Sequence, residues 1–261
     1  MIFPIPVIHI GPVVVQLPGL TLLFGFWAAL WLAAREAKHL GLKEDDVYNA
    51  GFYAAVAGLL GARLWYVAAH WEAFAGDPLG IVALNLSTLD VTSGLIVGSL
   101  VGAVYAWRKK LISARWLDAL APGAALLLAM VSLSNLFSGE AYGLPTTLPL
   151  AIMLWDTERH PVQIYEMLAA LATLVVLLGV LRRQHASGTP MLLFLVLYSG
   201  QRVFLEAFRA ESQLLPGGWR AAQIIGLLVL SVSLLKISQR AWPVQPPTHA
   251  VTSDHTEAAK V

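Results

Sequence analysis

Two stretches of this sequence carry groups that could do chemistry. The first is Arg159-His160-Pro161-Val162-Gln163-Ile164-Tyr165-Glu166, and an unbroken apolar run from Met167 to Leu181 follows at once. The second is Gln201-Arg202-Val203-Phe204-Leu205-Glu206-Ala207-Phe208-Arg209, at the end of the next apolar run. Ionisable groups at the mouth of a run long enough to cross a bilayer are expensive, and they mark a functional site with a partner nearby. Arg202, Glu206 and Arg209 are four and three residues apart, so one helix face carries all three. Gln163 and Glu166 share a face by the same rule. Arg63 and Arg202 would each cost at least ~2.5–3.5 kcal/mol at mid-bilayer without a partner. Glu166 and Glu206 are their natural counter-ions. An arginine holds phosphate through two parallel hydrogen bonds, so a surplus arginine here suits a phospholipid head group.

The elements that must position these residues follow from composition. Of 261 residues, 57% are hydrophobic and 13% charged, whereas soluble domains carry about 25% charged residues. With a mean hydropathy of +0.68, the chain is expected to be an all-α polytopic membrane protein. A helix needs about 20 mainly apolar residues to span, and seven runs fit: Val13–Ala34, Tyr48–Ala69, Thr92–Trp107, Leu117–Phe137, Val162–Leu181, Pro190–Phe208 and Ala221–Ile237. No alternating ten-residue segments of the β-barrel kind are visible. Residues 1–240 are expected to form one seven-helix membrane domain, and 241–261, with three prolines and no apolar periodicity, a disordered cytoplasmic tail. The first run has no basic residue before it and no cleavage site, so it is expected to be a retained span.

Basic residues set the orientation. Twelve of the 17 Lys and Arg lie in one set of alternating segments, three in the other, and Arg63 and Arg202 lie within spans. The positive-inside rule then predicts an outer N-terminus and a cytoplasmic C-terminus. With that orientation, Arg63, Thr92, Asn135, Glu140, His160, Gln163, Glu166, Arg202, Glu206, Arg209 and Gln223 all reach one leaflet, the outer one. Such asymmetry predicts a ligand entering from the outer leaflet or outer face. Each group also has a plain structural alternative. Arg202–Glu206 could fix helix packing, Arg63 could snorkel to the interface, and His160 could cap a helix. Gly51, Gly58 and Gly61 are expected to serve close helix packing. The net charge of +1 supplies no basic stripe for nucleic acid. With no cysteine, the chain can form no disulfide, thiolate nucleophile or cysteine metal site.

At these residues the sequence resembles the prolipoprotein diacylglyceryl transferases of bacterial inner membranes. The resemblance runs over about residues 8–240. It rests chiefly on the 159–166 octet, close to the family's Arg-His-Pro-Ser-Gln-Leu-Tyr-Glu. Gly61-Ala62-Arg63-Leu64-Trp65-Tyr66, Asn135-Leu136-Phe137-Ser138-Gly139-Glu140 with Gly143, and Arg202 to Arg209 with Gln223 resemble further motifs. Ile10-Gly11-Pro12 with Gly19-Leu20 is similar to the family's opening. Three positions depart. Thr92 stands where the family's His-Gly-Gly-Leu-Ile-Gly motif opens with histidine, Ser132 where its signature sequence has arginine, and Pro18 where a first-span tyrosine is usual.

The resemblance implies a multi-pass enzyme of the bacterial inner membrane with its active site toward the outer leaflet. The reaction moves a diacylglyceryl group from phosphatidylglycerol, a membrane lipid, to the lipobox cysteine thiol of a prolipoprotein. It implies that Arg202, Arg63 and Arg209 bind phosphate, that Glu206, Glu140 and Glu166 position those arginines, and that Asn135 and Gln163 donate hydrogen bonds to the lipid. His160 is the candidate base, and Thr92 and Ser132 occupy catalytic positions with altered chemistry. No metal or cofactor is required. A serine at 132 lacks the charge an arginine gives a departing phosphate, a loss of about 10²–10³ in rate for one preorganised donor. A homologue that binds phospholipid or lipoprotein without turnover is the alternative. A small transporter is the weakest reading, because the inner leaflet is poor in polar groups.

Overall fold

A computed structural model of the chain describes residues 2–4, 6–10, 13–76, 80–81 and 90–241. Eight α-helices are described among them: α1 (Leu17–His39), α2 (Glu44–Ala69), the single turn α3 (Trp71–Phe74), α4 (Val91–Arg108), α5 (Ala114–Ser138), α6 (Val162–Leu181), α7 (Thr189–Leu205) and α8 (Ala221–Ala241). A 3-10 turn, Glu206–Phe208, prolongs α7. Six helices, α1, α2, α5, α6, α7 with its 3-10 turn, and α8, are long and apolar enough to cross a membrane. The chain is therefore a multi-pass membrane protein. Its flanks agree: Phe24, Trp65, Val175 and Leu228 are all more than 60% exposed, an apolar exterior suited to lipid and not to water. Residues 242–261, where the tail is expected, lie outside the described residues, as do Gly11 and Pro12.

The helices pack in antiparallel pairs, α1 on α5, α2 on α4, α5 on α6 and α7 on α8. Small residues let the backbones close, because in lipid van der Waals packing holds helices together. The α2–α4 contact shows why glycine is needed there. A Cβ on Gly98 would meet the Ala54 carbonyl oxygen at 2.7 Å, and one on Gly94 the Gly58 carbonyl at 2.9 Å. Asp90 caps α4, accepting from the Ser93 N–H at 2.7 Å, while its own N–H donates to Ala62 O on α2 at 3.2 Å.

Short strands, which hydropathy did not predict, sit beyond the helix ends. β1 (Ile2–Phe3) pairs in parallel with β4 (Ile152–Leu154), which pairs antiparallel with β5 (Thr157–Arg159). β2 (Val7–Ile10) and β3 (Val13–Gln16) form an antiparallel ribbon. The first expected span therefore loses its opening residues: β-branched Val13, Val14 and Val15 join a strand, and Pro18 in the first turn sets where the helix starts. Span six also ends earlier as α-helix than expected, tightening into the 3-10 turn at Glu206.

At the end of the bundle away from these strands, Asp118 on α5 is 1% exposed. Its carboxylate accepts from the Gly188 N–H at 2.6 Å and the Met191 N–H at 3.0 Å. It thus caps α7 from a neighbouring helix, where anions favour the N-terminal dipole. Asp118→Ala leaves two N–H groups without an acceptor, at about 1–3 kcal/mol each. Thermal unfolding in detergent should show that loss, with Asp118→Asn in between; an unchanged midpoint would refute the capping role. Asp90 gives a pH prediction. The Ser93 side chain and then its backbone N–H hold the Asp90 carboxyl below the usual carboxylate range. A depressed value means the cap contributes fully above the ordinary carboxylate pKa and is lost as pH falls through the lowered one. The protection of the Ser93 amide, its exchange rate relative to an unstructured peptide at the same pH, should fall on acidification in wild type and be low at all pH in Asp90→Ala.

Candidate active site

The charged residues gather where α5 ends, α6 begins and α7 ends. The chain there is tied by an extended seam. Leu144 N–H donates to Phe208 O at 2.8 Å, Ala210 N–H to Tyr142 O at 3.1 Å and His160 N–H to Leu144 O at 3.0 Å. Residues 142–144 thus clamp the entry of α6 to the exit of α7. Gly143 is obligatory in this seam, since a Cβ would strike the His160 carbonyl oxygen and lie 2.8 Å from the His160 Cβ. Two further contacts brace it. Gln163, 1% exposed, donates through Nε2 to Glu140 O at 2.8 Å, and the Arg159 guanidinium lies 4.7 Å from the Tyr142 ring centre. At the end of α5, Gly139 takes the left-handed conformation that closes a helix (φ +75°).

Four ionisable groups meet on this frame. Glu166 Oε1 accepts from Arg209 Nη1 at 2.8 Å and from Arg202 Nη1 at 3.0 Å. Glu206, one turn beyond Arg202, places Oε2 at 3.2 Å from Arg202 Nη2 and 3.9 Å from Arg209 Nε. The Glu206 contacts are charge pairs only, because neither Glu206 Oε2 nor Arg209 Nε has an aligned hydrogen bond. Glu206 is the deepest, its side chain 2% exposed, and Arg202 the most open at 29%. Arg220, just before α8, holds the backbone under this group. Its Nη1 donates to Arg209 O at 3.1 Å, to Ser212 Oγ at 3.0 Å and to Glu206 O.

Against the group lies a cavity of about 170 Å³. Arg202, Arg209, Glu166 and Gln201 form its polar wall, and Ser132 and Asn135 approach from α5. Leu128, Val131, Tyr198 and Leu205 supply the apolar remainder. Two arginines and one carboxylate thus face the space, with the second carboxylate, Glu206, behind them. Such a wall accepts an anion: guanidinium N–H groups in a confined, low-dielectric site bind phosphate oxygens far better than in water.

Of the residues expected from sequence, Ser132, Asn135, Glu166, Arg202 and Arg209 meet at this cavity. Glu206 reaches it only through its arginines. The others are placed elsewhere. Arg63 was expected to pair with Glu166 or Glu206, but those carboxylates are taken by Arg202 and Arg209. Arg63 instead donates through Nε to Ile81 O at 3.0 Å and through Nη2 to Gly80 O, with its guanidinium 5.2 Å from the Phe74 ring centre. Glu140 is exposed, and among the described residues no ion pair joins it to an arginine; its main chain does the holding, through Gln163. His160 is off the cavity wall, its ring 5.2 Å from that of Phe208. The side chain of Thr92, in the first turn of α4, lies outside the described residues. Pro18 opens α1, and its carbonyl accepts from Ser134 Oγ at 3.0 Å. Tyr198, Gln201 and Arg220 have roles that sequence did not suggest. Gln201 adjoined Arg202 in the charged stretch, and Arg220 looked like one of a few outer basic residues.

These features define a multi-pass membrane protein with an anion-accepting cavity at one end of its helix bundle. The chain belongs to the prolipoprotein diacylglyceryl transferase family, whose model matches residues 6–238. It is similar to the phosphatidylglycerol–prolipoprotein diacylglyceryl transferase of Clostridioides difficile, 33% identical over 210 residues that cover 80% of this chain and 84% of that protein. Proteins of the same name from Enterococcus faecalis (29% over 230 residues, 83% of each chain) and Staphylococcus aureus (26% over 254 residues, 93% of this chain and 91% of that one) are also similar.

Removing Glu206 would leave two partly buried guanidiniums sharing one carboxylate. Breaking one side of a fully buried pair costs about 3–5 kcal/mol, an upper bound here because the Arg202 side chain is 29% exposed. Glu206→Ala should therefore lower the unfolding midpoint strongly, and Glu206→Ala with Arg202→Leu by less than the sum of the single changes. Additive effects would show that the two groups do not interact.

Proposed function

We propose that this chain transfers a diacylglyceryl group from phosphatidylglycerol to the lipobox cysteine thiol of a prolipoprotein. The observation that carries the proposal is the pairing of Arg202 and Arg209 on Glu166 at the wall of a cavity fit for a phosphate. Family membership and the names of the relatives support the substrate pair. In this reading the protein crosses a bacterial inner membrane seven times, α4 being the seventh span beside α2. Its N-terminus lies outside and its C-terminus in the cytoplasm, as the distribution of basic residues favours.

The reaction forms a C–S bond from the cysteine sulfur to the glyceryl carbon as that carbon's C–O bond to phosphate breaks. The oxygen leaves with the electron pair, as glycerol phosphate, and the thiol proton passes to a base. Arg202 and Arg209 bind the phosphate and stabilise charge on the leaving oxygen. Glu166 and Glu206 hold the two guanidiniums apart and oriented. Asn135 and Ser132 face the same ligand from α5. His160 keeps the turn bearing Glu206 and Arg209 in place through Phe208, and Arg63 holds the segment at Gly80–Ile81.

Ser132 favours a second reading, a homologue that binds the lipid without turnover, because it brings a neutral hydroxyl to the cavity where the family resemblance expects an arginine. Purified protein given labelled phosphatidylglycerol and a lipobox peptide separates the two. The enzyme reading expects a thioether product that Arg202→Ala abolishes. Lipid binding without product would establish the binder, and full activity in Arg202→Ala would remove the phosphate assignment. Ser132→Arg with Thr92→His is expected to raise the rate by about 10²–10³ if the loss of a charged donor limits it.

A further inference from the structure

One polar side chain at the cavity has no part in the machinery described above. Gln201 precedes Arg202 on α7 and lines the cavity beside it. Its Oε1 is buried with no hydrogen-bond partner. A buried carbonyl oxygen without a donor is costly, and most such atoms in folded proteins are paired. No neighbouring donor is aligned on it. Arg202 serves Glu166 and Glu206, and Arg209 serves Glu166. A ligand that fills the cavity can supply the donor that Gln201 lacks.

We infer that Gln201 recognises a hydroxyl on the head group of the bound lipid. This rests on the proposed function, in which Arg202 and Arg209 take the phosphate. The groups that read the two parts of the ligand then differ in kind. Guanidiniums bind any phosphodiester, whatever alcohol it carries. A buried amide oxygen beside them accepts only from a donor a few atoms beyond the phosphate, which a glycerol head group presents and an alkyl head group lacks. Arg202 thus gives affinity and Gln201 gives selectivity among anionic lipids of equal charge. Selectivity of this kind arises from the penalty on the wrong ligand, which leaves the acceptor unpaired, more than from reward for the right one.

The test uses the full-length protein in detergent and two lipids, phosphatidylglycerol and phosphatidylpropanol, which share charge, linkage and head-group length but differ in hydroxyls. Wild type is expected to bind phosphatidylglycerol about tenfold tighter, the scale of one buried hydrogen bond. Gln201→Leu should bind the two equally, by weakening phosphatidylglycerol and not by losing phosphatidylpropanol. Retained binding of phosphatidylpropanol shows that the variant is folded with its phosphate site intact. Gln201→Glu keeps an acceptor and should keep the preference for the hydroxylated lipid, with weaker binding of both. Equal binding by wild type, or a preference that survives in Gln201→Leu, overturns the assignment while leaving the transferase reading standing. If wild type binds neither lipid, the reading on which the assignment rests falls, and the assignment with it.

Discussion

One carboxylate oxygen organises the functional end of this protein. Glu166 Oε1 accepts from two guanidiniums, at 2.8 and 3.0 Å, and so joins the first turns of α6 to the last residues of α7. Without it, two like charges would face each other across a confined space where repulsion is little screened. Glu206 completes the arrangement from behind, but its pairings are looser and its buried oxygen is not hydrogen-bonded. The group is therefore well specified by charge and incompletely satisfied by hydrogen bonds. That combination suits a binding site, because an anion's oxygen atoms can accept from the guanidinium N–H groups that the two carboxylates leave open.

The rest of the fold holds those four groups in register. The apolar helices pack through alanine and glycine, which gives rigid spacing but no chemical selectivity. Selectivity enters only at the ends, where the backbone leaves the helices and needs partners. The seam at 142–144, the Gln163 amide on the Glu140 carbonyl and the Arg220 guanidinium on the Glu206 and Arg209 carbonyls all provide them. Arg220 joins two tasks. It satisfies the carbonyls at the exit of α7 and fixes the turn that aims Arg209. A basic group is favoured there by the helix dipole, so the charge stabilises the helix end as well as the site.

The sequence made the helices legible because hydropathy is a local property. Span five was expected at Val162–Leu181 and α6 has those bounds. Local spacing also brought out the shared face of Arg202, Glu206 and Arg209. What it could not supply was the pairing of distant segments. Val13–Gln16 looks apolar whether it opens a span or joins a strand, and only its partner at Val7–Ile10 decides. Arg63 needed a counter-group, but nothing in its neighbourhood said that the carbonyls at Gly80 and Ile81 would fold back onto it. His160 and Glu140 are chemically capable residues inside telling motifs, yet one packs on Phe208 and the other points outward. A motif locates a segment; which of its side chains faces the cavity depends on the turns on either side.

The serine at 132 can now be weighed against the charges around it. Two guanidiniums and two carboxylates cancel in formal charge, so the assembled group is neutral before a ligand arrives. A phosphodiester brings one negative charge, which the outward N–H groups of Arg202 and Arg209 can hold as hydrogen-bonded dipoles. Departure of glycerol phosphate turns the diester into a monoester and places further negative charge on the leaving oxygen. An arginine at 132 would meet that increment from the α5 wall; a hydroxyl there cannot. The substitution therefore bears on the transition state more than on the bound lipid, and its signature is a reduced kcat with substrate binding largely kept. In the proposed reading, affinity for the lipid and competence for transfer are separable, because different walls of the same cavity would carry them.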